Sequence, residues 1–198
     1  MADVRMFRFV KFCDATKAGR RRALQEWEEA LPYNHAHDFW KRIRETIRAI
    51  ERGKKPLSAL ELLPAQQTDK RKTTNFAIAA RGYLGWRRNK VVEWFDPPKG
   101  TWNCGGLDVQ VGADLGLKLD GVPHIIKLHF SDPRPSSIRI DAITHLLHAA
   151  CAPQVGPSCR SALLDVRRGV LAAIESAHPV VMRTLERQAH LWLQRRAS

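Results

Sequence analysis

Three groups of side chains in this sequence have the types and spacing to do chemistry. The first lies in LDGVPHIIKLHF, Leu119 to Phe130, where Lys127 interrupts an apolar run that reads as a buried strand. An ammonium group in that setting needs a carboxylate or a path to water. Asp120-Gly121 supplies the partner, because this residue pair favours a two-residue type I′ turn. With those two as the loop, Leu119 faces Val122, Leu117 faces His124, Leu115 faces Ile126, and Asp114 faces Lys127. Asp114, Gly116, Ile125 and Lys127 then share one side of the hairpin, with an apolar row on the other. Read structurally, such a cross-strand ion pair contributes about 0.2–1 kcal/mol and carries no reaction.

The second group is THLLHAAC, in which His145, His148 and Cys151 follow at steps of three, with Cys159 beyond a loop. Imidazole and thiolate are zinc ligands. Steps of three drift about 60° each around a helix, however, and no second ligand pair has motif spacing. Core cysteines and surface histidines account for the same letters, and the HAH run at His35 to His37 is weaker still.

The third group is basic. Arg20, Arg21 and Arg22 are consecutive; Lys41, Arg44, Arg48 and Arg52 fall on one face of an expected helix; Lys70, Arg71 and Lys72 form a run; Arg87 and Arg88 follow. Trp27, Trp40 and Trp86 are interleaved with them, and such a combination can contact phosphates and stack on unpaired bases. A charged row is also what a solvated helix face looks like. The overall charge decides between them: +13, with 22 basic against 12 acidic residues up to Lys99 and 11 against 8 after it. That asymmetry points to a polyanion, expected to be nucleic acid, met by the front half. No Walker loop, GxGxxG, GxSxG or HExxH occurs.

The elements that must position these groups divide at about residue 90. Residues 1–89 read as a basic, mainly helical region. Val4 to Phe12 mixes charge with aromatic and β-branched residues and leans towards a strand. Asp14 is placed to cap a helix reaching about Ala30, with Leu24, Trp27 and Leu31 inward, and its arginines and glutamates oppose the helix dipole. Asp38 caps a second helix with Phe39, Ile43, Ile47 and Ile50 inward and Gly53 past its end. The spacing predicts a short helical piece stopped at Pro64, a loop at Lys70 to Lys72, a helix over Asn75 to Gly82 and a strand over Lys90 to Phe95.

From Thr101 the period is two: three successive strands, a helix over about Ile138 to Ala150 capped by Ser136 or Ser137, a strand over Ala162 to Val166, and a last helix from Pro179 with Leu185 and Trp192 inward. The expectation is an α/β fold: a central mixed sheet made of a three-strand meander, a helix and a further strand, flanked by helices. A chain of 198 residues needs neither disulfide nor metal to close its core. Four cysteines without CxxC spacing and the lack of a long apolar run predict a cytoplasmic protein with no membrane partner.

Over Lys90 to Val170 this order resembles the PD-(D/E)XK nuclease superfamily, the restriction-endonuclease-like fold. The resemblance implies that Lys127 matches the motif lysine, that Asp114 or Asp108 matches the first acid and metal ligand, and that Glu45 or Glu51 is the helix-borne acid. An active member would use Mg²⁺ to activate water. The chain departs from the motif two residues before the lysine, where Ile125 replaces an acid and removes a ligand from a sparse set. The resulting expectation is a nucleic-acid-binding protein with a catalytically degenerate core and no cofactor, acting with partner proteins. An active Mg²⁺-dependent endonuclease using Asp114, Asp108 and Lys127, and an adaptor for an acidic protein, are the alternatives.

Overall fold

The structure, a computed structural model, describes residues 2–29 and 38–196. Leu31 and His35 to His37 lie outside the described residues. From the amino end, β1 (Ala2–Arg5) runs directly into α1 (Met6–Cys13), where a strand was expected. Helix prevails because Met6, Phe9, Val10 and Cys13 fall at helical spacing and all are buried, leaving Phe7 and Lys11 outside. α2 (Lys17–Glu28) is capped by Thr16, whose Oγ1 accepts from Gly19 N at 3.2 Å. Asp14 does not cap it; its carboxylate accepts from Ser136 Oγ at 2.6 Å and Arg139 Nε at 3.1 Å.

α3 (Lys41–Glu51) buries Ile43, Ile47 and Ile50, and Gly53 follows its end at φ 70°. Asp38 stands before the helix, its Oδ1 accepting from Trp40 N. α4 (Ser58–Leu62) and a 3-10 turn (Pro64–Gln66) lead to α5 (Lys70–Arg87). That helix starts at the basic run expected to be a loop, because Asp69 Oδ1 accepts from Arg71 N at 2.7 Å and Lys72 N at 3.3 Å. It continues through Gly82, expected to end it. A Cβ there would lie 2.1 Å from Val166 O, so this glycine serves close backbone approach rather than termination.

The remaining elements are β2 (Val92–Phe95), β3 (Lys99–Cys104), β4 (Leu107–Gly112), β5 (Leu115–Leu119), β6 (Val122–His129), α6 (Ser137–Ala150), β7 (Arg160–Asp165), β8 (Val170–Ile174) and α7 (Pro179–Arg196). Of the strands, β1, β3 and β8 were not anticipated. The α/β class holds, but the strands form two sheets: a five-stranded one, β2-β5-β6-β7-β8, and a three-stranded one, β1-β4-β3. The meander is β2-β5-β6 rather than β4-β5-β6, because the chain leaves the small sheet after Gly112 and enters the large one at Leu115. The crossing helix α6 and parallel β7 follow as expected.

Both faces of the large sheet are covered. Ile43, Ile47, Phe76 and Tyr83 from α3 and α5 pack on Leu115, Leu117, Ile126 and Leu128. On the other side Ile125 and Leu163 meet α6, α7, α1 and the small sheet, around a fully buried Trp192. Each cluster draws on residues from before and after residue 90.

Candidate functional site

The turn that positions Lys127 forms as anticipated. Asp120 and Gly121 carry φ of 49° and 86°, and Leu115 opposes Ile126 while Leu119 opposes Val122. Both positive values belong to the type I′ geometry. Asp120 also ties the turn to the start of β2, its N donating to Val91 O at 3.0 Å and its Oδ1 accepting from Val91 N at 3.1 Å.

One step beyond the β5–β6 ladder lies the pair. Lys127 Nζ is 3.3 Å from Asp114 Oδ2 and donates to Gly112 O at 3.1 Å, while the Asp114 side chain is only 7% exposed. Asp114 N donates to Ile126 O at 2.8 Å, and Oδ2 accepts from Leu128 N at 3.0 Å. Where β5 ends, the carboxylate thus takes the next amide of β6 as a strand backbone would. Together the two side chains clamp the point where the chain changes sheets.

A third member was not anticipated in this role. Arg48 of α3 donates through Nε to Asp114 O at 2.9 Å and through an outer nitrogen to Oδ1 at 3.2 Å. Both carboxylate oxygens are therefore occupied by protein donors, and one acid stands between two cations. The other expected acids are elsewhere. Asp108 lies in β4 on the small sheet, accepting from its cross-strand neighbour Asn103 at 2.6 Å. Glu51 is buried, accepting from Tyr83 Oη at 2.8 Å and Arg87 Nε at 3.1 Å and 3.2 Å. Its proximity drives the buried Tyr83 hydroxyl further above the ordinary tyrosine value, after burial itself. Glu45 is exposed beside Lys41.

The basic side chains divide sharply. Along α3, Lys41 pairs with Glu45, Arg44 with Asp38, Arg48 with Asp114, and Arg52 with Asp96 while lying over the Trp94 ring. Arg87 is held by Glu51, and Arg22 by Glu26. Arg20 lies over the Phe12 ring, with its Nε buried and lacking a hydrogen-bond partner, and Arg21 is exposed. Lys72 sits over the Phe39 ring.

On α5 the situation is reversed. Arg71, Thr74, Arg81, Gly85 and Arg88 are exposed, spaced at three, seven, four and three residues, so they line one side of the helix. Among the described residues, Arg71, Arg81 and Arg88 have no acidic partner, and Lys70 at the helix start has none either. Arg81 was not among the sequence candidates, although its spacing of seven from Arg88 could have revealed it.

The histidine and cysteine group does not converge. His145 is buried with Nδ1 donating to Asp141 O at 2.8 Å, and Cys151 Sγ lies 3.9 Å from Val111 O. Burial pushes the Cys151 thiol up to about 11 and Cys13 up to about 12, far from the thiolate that binds zinc. All four cysteines are free thiols. Among the described residues, no helix is long and apolar enough to cross a membrane. Compared with known protein families the chain matches none of their models, and comparison with curated proteins finds no match.

Proposed function

We propose that this protein binds nucleic acid through the outer face of α5, on a nuclease-like core that is catalytically degenerate, and that it works in the cytoplasm with partner proteins. The observation that carries the reading is the exposed Arg71, Arg81 and Arg88 stripe, whose side chains form no ion pair with an acid among the described residues, in a chain of net charge +13. These side chains are spread over about 25 Å of helix, a span over which a nucleic-acid strand presents several phosphates.

Degeneracy rests on the surroundings of Asp114. A hard divalent cation takes several oxygen ligands, whereas this carboxylate is engaged by Arg48, Lys127 and the Leu128 amide, and Ile125 offers none. The residues here do not fit Mg²⁺.

Anisotropy titration of labelled duplex and single strands across a salt series tests the binding. The wild type should weaken steeply with salt, and Arg71→Ala/Arg81→Ala/Arg88→Ala should lower the logarithmic slope by about 2–3. No binding at low salt, or a triple variant that binds like wild type, defeats the proposal. Plasmid cleavage in Mg²⁺ or Mn²⁺ that vanishes in Asp114→Asn would restore the enzyme reading.

A further inference from the structure

The turn between β7 and β8, Val166 to Gly169, lies against α5. A Cβ on Gly82 would fall 2.1 Å from Val166 O and 2.6 Å from Arg167 O, and one on Gly169 would fall 2.7 Å from Gly82 O. Glycine at both positions is what lets the two backbones come this close. The turn carries two arginines whose surroundings differ. Arg168 pairs with both Asp132 and Asp165. Arg167 donates through Nη1 to Asn75 Oδ1 at 2.8 Å, and among the described residues it forms no ion pair with an acid.

An amide oxygen is neutral, so this hydrogen bond fixes the guanidinium without offsetting its charge, and it uses only one of five N–H donors. The amide is itself held, since Asn75 Nδ2 donates to Arg71 O at 2.8 Å and leaves the oxygen for Arg167. Along the helix axis Asn75 lies about 6 Å past Arg71 and about 9 Å before Arg81. From Thr73 to Ala80 α5 itself carries no cation. Arg167 thus stands at the gap in the arginine stripe.

We propose that Arg167 binds a nucleic-acid phosphate between those met by Arg71 and Arg81, with Asn75 as its positioning residue, so that two elements build one continuous cationic surface. This rests on the nucleic-acid reading of α5. The ligand is recognised through its backbone, whatever its bases, because the tryptophans on this side of the sheet are already engaged. Trp40 stacks on Phe130 and Phe76, with ring centroids 5.2 Å and 6.0 Å away. Trp86 is 6% exposed, with Tyr83 beside its ring and Lys90 over it, and Arg52 covers Trp94. Unpaired bases are gripped by stacking on open aromatic rings, whereas contacts to phosphates carry no sequence information directly.

Anisotropy titration of labelled duplexes across a salt series tests this, with circular dichroism to confirm folding. Arg167→Ala and Arg167→Gln should each lower the logarithmic salt slope by about 1, and Arg167→Lys should keep the slope of wild type. Should Arg167→Ala fail to fold, Arg167→Gln decides alone, since its amide can still donate to Asn75. Asn75→Ala removes no charge, and should weaken low-salt binding in wild type but not in the Arg167→Gln background. Duplexes of unrelated sequence should bind alike. An unchanged slope in Arg167→Gln, while Arg71→Ala/Arg81→Ala/Arg88→Ala loses its own share, overturns this inference and leaves the reading of α5 intact. Equal weakening by Asn75→Ala in both backgrounds overturns its positioning role, and strong preference for one duplex sequence overturns recognition by backbone. A wild type that binds no labelled duplex or single strand at low salt overturns this inference and the reading together.

Discussion

α3 and α5 cover the same face of the large sheet, and each carries a row of cations, yet the two rows do different things. On α3, every cation of the expected row reaches an acid: Arg48 takes Asp114 and Arg52 takes Asp96, 66 and 44 residues away. Among the described residues, only Arg87 on α5, near its end, is engaged in that way; Arg71 and Arg81, with Arg88 just past the helix, have no acidic partner there. A basic row at helical spacing is thus a fastening in one place and a surface in the other. Lys41 and Arg44 use the nearby Glu45 and Asp38, whereas for Arg48 and Arg52 the tertiary fold delivers the carboxylate, and that is invisible in local spacing.

The contrast can be broken most forcefully at Glu51. Arg87→Met leaves a buried carboxylate with only the Tyr83 hydroxyl, and should cost about 3–5 kcal/mol in urea denaturation. Arg48→Met removes two charge-assisted hydrogen bonds at a more exposed site and should cost about 2–3 kcal/mol. Arg71→Ala or Arg81→Ala should stay within about 0.5 kcal/mol, and a larger loss there would erase the distinction.

Two glycines sharpen it within α5 alone. Gly82→Ala drives a methyl into the Val166 and Arg167 carbonyls and should cost about 2–3 kcal/mol. Gly85→Ala, with nothing within 4 Å of its Cβ position, should instead stabilise by about 0.5–1 kcal/mol. Thermal melting of the pair shows whether opposite signs hold for the buried and open faces.

The smallest expected effect is a pH dependence that does not involve the α5 stripe. His124, His129 and His148 hold their protons less readily than the ordinary histidine at 6.5, chiefly because burial disfavours the imidazolium. Arg160 adds to this at His124, and Arg139 and Arg168 at His129. The unfolded chain then binds more protons than the folded one below about pH 6.5. Stability from this source is complete above that value and is lost as pH falls from it towards the lowered folded-state values. Urea midpoints at pH 7.5 and pH 5.5 should differ accordingly, and Arg71→Ala/Arg81→Ala/Arg88→Ala should show the same difference as wild type.

Local chemistry made much of this fold legible. The Asp120-Gly121 step specified the β5–β6 register residue by residue, and Ser136 marks the start of α6 by accepting from Arg139 N at 3.1 Å. Where local signals conflicted, the reading failed. α1 hides its helical period among Arg5, Arg8 and Lys11, and α5 begins with three cations at the end where a helix dipole disfavours them. β3, KGTWNC, shows no clean alternation, and nothing in Gly112-Ala113-Asp114 announces a change of sheet. At the candidate site the Asp114–Lys127 pair was readable because one turn sets it. Arg48 was not, because its place beside Asp114 depends on how α3 packs.

β1 pairs in parallel with β4, placing Ala2 beside Leu107. Closing a loop of about a hundred residues carries a slowly growing but real entropic penalty, and its partner strand is half a chain away. During synthesis Ala2–Arg5 therefore wait for Leu107–Gly112 before their strand can form.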